Sequence, residues 1–313
     1  MNVAMPTLAP GRMCPADYVY SPAVFDRPPE VETQTLYVAG GLYGNVAALD
    51  TLERLAAAEH ATVVFNGDHH WFDAEPGWFD AIEAGVSRHR ALRGNVETEI
   101  ARPHDIGAGC GCAYPPSVSE DVVHRSNQIL GDLRSVAAAC VRDRLARLPV
   151  HFVAQVGRLR IGIVHGDAAS LAGWRFAQDM LDDPASRGWL ADVLRQSRID
   201  VFASTHTCLA ALRDFELDAG RLTVINNGAA GMPNFAGSTF GLMTRIAVAP
   251  SPHPSLYRLV RDGVHIDAIP LRYDQRAFLD RFLGRWPPRS PAHASYFERI
   301  VDGPRYAVTT ASG

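Results

Sequence analysis

Short apolar segments that end in polar, glycine-containing turns recur along the chain and are typical of β-strands. The first covers residues 36–39, ends in the turn 40–45 and precedes a helical spacing of apolar residues over 46–52. A second apolar segment, 61–65, ends in the same way at the tripeptide 66–68. Strand, turn and helix in this order form the repeating unit of α/β sheets. We therefore expect βα units in the first third of the chain.

The second half of the chain alternates over shorter distances, which predicts hairpins. Apolar segments at 150–156 and 159–164 flank a turn at Gly157, and a second pair at 209–217 and 221–226 flanks another glycine turn. Together with the βα units, these hairpins supply two sheets. We therefore predict an α/β (α+β) sandwich in which two β-sheets are flanked by helices.

Proline spacing and the absence of a linker indicate how the chain is divided. Six prolines among the first 30 residues predict an extended N-terminal arm over 1–30, laid on the surface. Residues 31–313 contain neither an internal repeat nor a linker, so we expect a single domain there. Its end, about 275–303, has the spacing of a helical tail.

Composition excludes several classes of function. The formal net charge is −4, so we expect neither a nucleic-acid nor a membrane partner. All 30 cationic residues are arginines, which excludes mechanisms that need a Schiff-base or phosphate-loop lysine. No apolar stretch reaches the length of a membrane span, and the N-terminus lacks a signal-peptide pattern. Because the five cysteines are an odd number, we expect reduced thiols and a cytoplasmic location.

Polar residues follow four of the predicted strands at their C-terminal ends, where open α/β sheets form their sites. They are Asp68, Asn95, His165 and His206. One carboxylate, one amide oxygen and two imidazoles form a coherent ligand set for a borderline divalent metal such as Zn, Mn or Fe. The sequence therefore predicts a metal site at the ends of these strands.

Five short motifs, each after an apolar strand, are distributed over residues 36–235. They are Gly41-Leu42-Tyr43-Gly44-Asn45, Asn66-Gly67-Asp68, Arg93-Gly94-Asn95-Val96-Glu97, Val164-His165-Gly166-Asp167 and Thr205-His206-Thr207-Cys208. In this order they resemble the motifs of the calcineurin-like metallophosphoesterase superfamily, in particular its small prokaryotic phosphodiesterase branch. The resemblance implies that superfamily's fold, a site for two metal ions and phosphoesterase activity.

The sequence departs from the superfamily's pattern at one of these two metal sites. Gly41 stands where the superfamily has an aspartate, and Tyr43 and Cys208 stand where it has histidines. Random decay of an abandoned active site would affect both metal sites, whereas all three substitutions fall on one. The resemblance implies that the ligands of the other metal are retained as Asp68, Asn95, His165 and His206. We therefore expect one bound divalent ion.

Other residues are candidates for catalysis beside this metal. Val96 occupies the place of the superfamily's catalytic histidine, so the usual general acid is missing. Tyr43, His69 and Arg93 are the candidates to compensate, and the Tyr43 hydroxyl would donate to a phosphate oxygen. Further candidates for metal binding or for the pocket are Cys208, Glu97, His70 and Asn45.

Several of these candidates have a structural alternative. His69 and His70 are adjacent, so only one of them can reach the site, and both fit a solvated turn. Glu97 lines the groove or stabilises a helix N-terminus. Cys208 ligates a soft metal or packs as a small apolar side chain.

Two functions are compatible with these observations. The first is a metal-dependent phosphoesterase that hydrolyses a small phosphomonoester or phosphodiester with one retained metal ion. The alternative is a catalytically inactive protein that binds partners through the phosphoesterase fold. Metal content and activity on a chromogenic phosphodiester distinguish the two.

Overall fold

Two six-stranded β-sheets form the centre of the protein in the computed structural model, which describes residues 9 to 313. The strands are β1 (Val31–Thr33), β2 (Thr35–Ala39), β3 (Thr62–Phe65), β4 (Arg90–Ala91), β5 (His151–Val156), β6 (Leu159–Val164), β7 (Val201–Ser204), β8 (Ala210–Leu217), β9 (Gly220–Asn227), β10 (Gly241–Ala247), β11 (Arg258–Arg261) and β12 (Val264–Leu271). One sheet has the order β11-β12-β10-β2-β3-β4, and the other has the order β1-β5-β6-β7-β9-β8.

Helices flank the two sheets. They are α1 (Val46–Glu59), α2 (Pro76–Val86), α3 (Asn95–Ala101), α4 (Glu120–Val136), α5 (Ala139–Arg147), α6 (Gln178–Asp182), α7 (Ser186–Ser197), α8 (Gln275–Arg285), α9 (Pro291–Asp302) and α10 (Val308–Ser312). The predicted α/β sandwich is confirmed. No helix in the described part of the chain is both long enough and apolar enough to cross a bilayer.

The period of two along the strands explains how one sheet packs on both faces. In β2, Leu36 and Val38 point towards the second sheet, whereas Tyr37 and Ala39 pack against the outer helices. The whole strand is buried because the two faces are covered by different layers. The core between the sheets also contains residues of β6, such as Ile161 and Ile163.

The parallel part of each sheet positions the functional site. Strands β2, β3 and β4 run parallel in one sheet, and β6, β7 and β9 run parallel in the other. Parallel neighbours end at the same edge, so the turns that follow β3, β4, β6 and β7 lie together. These turns carry the four predicted metal ligands.

The N-terminal arm is only partly described, because residues 1–8 of the predicted segment 1–30 lie outside the described residues. The rest contains two short 3₁₀ turns, Ala16–Tyr18 and Pro22–Phe25. Tyr18 and Phe25 are fully buried, so this segment is anchored in the protein where the sequence predicts an arm on the surface. Their two aromatic rings account for the difference, since each is large enough to anchor a turn.

The predicted helical tail is divided into two helices, α8 and α9. The break falls at Pro287 and Pro288, because proline cannot continue a helix that precedes it. Helix α9 packs against α4 and brings Tyr296 towards the ends of the parallel strands. The tail therefore contributes to the wall of the site. The division into an arm and a single domain stays a prediction.

Candidate metal centre

The turn after β3 holds Asp68 in an uncommon backbone conformation. Asp68 has a φ of +53° and follows Gly67, which has a φ of +101°. The buried Glu97 carboxylate stabilises this turn, because it accepts the backbone N–H groups of Asp68, His69 and Gly94, each at 2.8 Å. Burial raises the pKa of Glu97, but the neighbouring histidines and these N–H donors outweigh it and lower the pKa to about 2. Glu97 is therefore a structural carboxylate of the turn.

The four predicted ligands converge at the ends of the parallel strands. His165 Nε2 lies 3.0 Å from Asn95 Oδ1, 3.0 Å from His206 Nδ1 and 3.4 Å from Asp68 Oδ1. All four side chains are buried, with exposed fractions of at most 6%. Asp68, His165 and His206 each offer a ligand atom, and these atoms lie within 4.8 Å of one another. The structure thus brings all four together.

Backbone carbonyls determine which nitrogen of each imidazole carries the proton. His165 Nδ1 lies 2.9 Å from the carbonyl of Asn66, and His206 Nε2 lies 3.1 Å from the carbonyl of Cys112. A carbonyl only accepts, so each of these nitrogens must be the N–H donor in the neutral ring. The unprotonated nitrogens, His165 Nε2 and His206 Nδ1, therefore face each other across 3.0 Å.

The amide of Asn95 is oriented in the same way. Its Nδ2 donates to the carbonyl of Cys110 at 2.9 Å, which turns Oδ1 towards His165. Three acceptor atoms, His165 Nε2, His206 Nδ1 and Asn95 Oδ1, consequently meet beside the Asp68 carboxyl without a hydrogen between them. This arrangement is unfavourable by itself and fits a cation, because two imidazoles, an amide oxygen and a carboxylate are ligands for Zn, Mn or Fe.

The protonation equilibria of the ligands agree with this interpretation. Burial lowers the pKa of His165 to about 4, and burial together with His165 lowers the pKa of His206 well below its ordinary value. Both rings are therefore neutral at neutral pH, as metal ligands must be. Burial, reinforced by the Glu97 charge, raises the pKa of Asp68, which a bound cation would oppose. The site can therefore hold a metal ion.

The glycine-cysteine segment 109–112 acts through its backbone, which the sequence analysis did not foresee. The carbonyls of Cys110 and Cys112 orient Asn95 and His206. Gly109 and Gly111 have φ values of +61° and +66°, and this conformation is what turns both carbonyls towards the ligands. The repeated glycines were the available signal, because they indicate positive φ.

The three departures from the superfamily's pattern lie next to one another. Tyr43 Oη lies 2.8 Å from Cys208 Sγ, and a Cβ added to Gly41 would meet the Tyr43 ring at 2.9–3.1 Å. The Tyr43 ring therefore occupies the space in which an aspartate at position 41 would lie. Burial raises the pKa of Tyr43 well above its ordinary value, so its hydroxyl stays protonated and is available as a donor.

A small cavity of about 40 Å³ opens above the four ligands. Asp68, Asn95 and His206 form its polar base. Aromatic side chains supply most of its wall, and they come from separate parts of the chain: Tyr43, Trp71, Tyr114, Trp174 and Tyr296. Only Tyr43 among these was a predicted site residue, because nothing in the local sequence pattern shows that the other four meet.

Four further candidates do not line this cavity. His69 is buried edge-on against Phe65 at 5.8 Å, and neither of its ring nitrogens has a partner in the described part of the chain. Arg93 donates to the carbonyl of Ala146 at 3.0 Å, at the end of α5. His70 and Asn45 are held by other contacts. The structure thus does not bring the catalytic candidates His69 and Arg93 to the cavity above the four ligands.

His70 and Asn45 have structural contacts. His70 lies between the carboxylates of Asp73 and Glu83, at 2.5 and 3.0 Å, and stacks on Phe79. Asn45 caps helix α1, because its Oδ1 accepts the N–H of Ala48 at 3.0 Å. Its Nδ2 donates to the carbonyl of Gly231. Both side chains therefore stabilise turns around the site.

Comparison with known proteins identifies the fold. No protein-family model matches this chain, and no curated protein matches it either. Among solved structures, a hypothetical protein of Pyrococcus horikoshii OT3 is similar, with 18% identity and a TM-score of 0.58; the match covers 88% of this chain and 100% of that protein. A metallophosphoesterase from Sphaerobacter thermophilus is also similar, with 12% identity and a TM-score of 0.52; the match covers 86% of this chain and 100% of that protein. At these identities the likeness shows the fold alone.

The expected calcineurin-like phosphoesterase fold is thereby confirmed. The fold and the buried Asp-His-His cluster are compatible with a metal-dependent phosphoesterase.

Proposed function

We propose that this protein is a phosphoesterase that uses a single divalent ion of Zn, Mn or Fe to hydrolyse a small phosphomonoester or phosphodiester. Asp68, Asn95, His165 and His206 would hold the ion. The observation that carries the proposal is the convergence of His165 Nε2, His206 Nδ1 and Asn95 Oδ1 beside the Asp68 carboxyl, while an N–H group of each of these three side chains is bonded to a backbone carbonyl. A divalent ion there acts as a Lewis acid and makes a water molecule more acidic.

The chain's own residues orient the substrate and exclude water. The Tyr43 hydroxyl lies at the cavity wall, remains protonated and is placed to donate to a phosphoryl oxygen in place of Cys208. The aromatic wall lowers the local dielectric, which strengthens each polar contact inside. Val96 lines the cavity where a general acid is expected, so the leaving group departs without a proton donor. We therefore expect slow turnover, with good leaving groups preferred.

Elemental analysis of the purified full chain tests the proposal. Wild type should retain about one equivalent of metal, because one complete ligand set is present. His165→Ala and His206→Ala should each abolish retention, since removing one imidazole leaves too few ligands. Cys208→Ala is the matched control, because Cys208 contacts Tyr43 and is not one of the four ligands.

The same samples are then assayed on a chromogenic phosphodiester. The metal-loaded wild type should hydrolyse it, and the two histidine variants should not. Two equivalents of metal in wild type would refute the single-ion site. One equivalent without hydrolysis would favour the catalytically inactive binding protein instead.

A further inference from the structure

The cavity above the four ligands, called the reaction cavity below, is too small for a whole phosphate ester. A water molecule needs about 10–15 Å³ on this measure, so 40 Å³ admits about three water-sized groups. That space suits the non-bridging oxygens of a phosphoryl group above the metal ligands. The organic part of a substrate must lie elsewhere.

An adjoining groove of about 300 Å³ offers that space. Trp174 lines both the groove and the reaction cavity, so its indole is their common wall. Neighbouring residues of the chain also line the two spaces. Tyr114 and His206 line the cavity, and the residues that follow them, Pro115 and Thr207, line the groove. Its remaining surface is largely apolar, from Val118, Leu209 and Tyr306 among others.

The indole of Trp174 is held at this boundary. Its Nε1–H donates to the carbonyl of Cys112 at 3.0 Å, the same carbonyl that accepts from His206. The ring stands edge-on to His206, with 5.2 Å between the centroids, and lies 6.1 Å from Tyr114. Trp174 is only half-buried, so part of its ring is available for contact with a ligand.

None of the 30 arginines lines the cavity or the groove in the described part of the structure. Arg299 lies behind the cavity wall, where it donates to the carbonyl of Cys208 at 2.6 Å and its charge acts on Tyr43. Asp179 is the one charged residue among the described residues that line the groove. The groove therefore suits an uncharged organic group.

Resting on the proposed function, we propose that the outer groove binds the flat, apolar and uncharged organic group of the phosphate ester. Trp174 is its specificity-determining residue, through contact of the indole with that group.

Two non-hydrolysable probes test the proposal by titration calorimetry on the metal-loaded full chain. Methyl(phenyl)phosphinate is a monoanion with an aromatic ring, and dimethylphosphinate is a monoanion without one. We expect the first to bind about fivefold to tenfold more tightly than the second, as one aromatic contact provides.

Variants of Trp174 test the assignment of the ring contact. Trp174→Ala should lower the ratio of the affinities for methyl(phenyl)phosphinate and dimethylphosphinate to about one, whatever its effect on the affinity for dimethylphosphinate alone. Trp174→Phe keeps an aromatic face without the indole N–H and should retain the preference. A ring preference that survives Trp174→Ala would overturn the proposal.

Metal analysis of the same samples identifies a failure of the proposed function. If the wild-type chain retains no metal and binds neither probe, the single-ion site is wrong and the inference falls with it. Turnover is not needed for any of these measurements.

Discussion

Adding one methyl group at Gly111 should weaken the metal site without touching any ligand. Gly111 has a φ of +66°, and a Cβ built there would lie 2.3 Å from Tyr18 Oη and 2.9 Å from Glu99 Cγ. Tyr18 cannot yield easily, because it is fully buried and donates to Glu99 Oε1 at 2.7 Å. In Gly111→Ala the segment 110–112 must therefore move.

The size of the effect follows from these distances. A Cβ atom essentially never lies closer than 3.0 Å to another heavy atom. Relief of the 2.3 Å contact with Tyr18 Oη therefore needs a backbone shift of about 0.7 Å or more. The carbonyl contacts of Asn95 and His206, now 2.9 and 3.1 Å, would lengthen beyond hydrogen-bond distance. Loss of such orienting partners typically lowers metal affinity about 10-fold to 100-fold. The positive φ adds about 1 kcal/mol of destabilisation.

Gly107→Ala is the matched control for this variant. Gly107 lies in the same loop with a φ of +80°, but a Cβ there would have no atom within 4 Å. Gly107→Ala should therefore lose only the stability due to its positive φ, whereas Gly111→Ala should lose that and the cost of its clash, measured by urea unfolding of the metal-free proteins. Only Gly111→Ala should lose metal affinity, measured by competition with a chromogenic chelator.

Wild-type metal affinity in both variants would refute the reasoning. It would mean that the carbonyls of Cys110 and Cys112 do not determine the orientation of the ligands. Equal loss in both would assign the effect to general strain in the loop.

The remaining predictions concern His70 and the missing metal site. Burial lowers the pKa of His70, but its two carboxylate neighbours outweigh this and raise the pKa from 6.5 to about 10. The native state then keeps a proton that the unfolded chain loses, so the contribution of His70 to stability should be fully present below pH 6.5 and fall by about 1.4 kcal/mol per pH unit towards about pH 10. Urea unfolding across this range checks the slope, which His70→Gln should flatten; an unchanged slope would contradict the ion pair. Gly41→Asp combined with Tyr43→His and Cys208→His should admit a second equivalent of metal, at a cost of about 1 kcal/mol, because Gly41 has a φ of +63°. A folded triple variant that still retains one equivalent would mean that this half of the pocket has been remodelled.

The sequence by itself determined the sandwich and the meeting of four ligands. Asp68, His165 and His206 each follow a short apolar segment bounded by turn residues, which predicts a buried strand, whereas Asn95 follows the two-residue strand β4. Parallel strands end at one edge of a sheet, so Asp68 and Asn95 on one sheet had to lie together, as did His165 and His206 on the other. Local patterns were sufficient because the parallel pairing of the strands brings their ends to the same edge.

Only the tertiary structure decided how those ligands are oriented and what surrounds them. His206 depends on a carbonyl 94 residues away, and the cavity wall joins Tyr43 to Tyr296. His69 follows Asp68 directly, yet the turn directs its ring towards Phe65 and away from the cavity. Such contacts follow from the packing of distant segments, in which the shape of a loop and the space left by a side chain have no periodic signature along the chain.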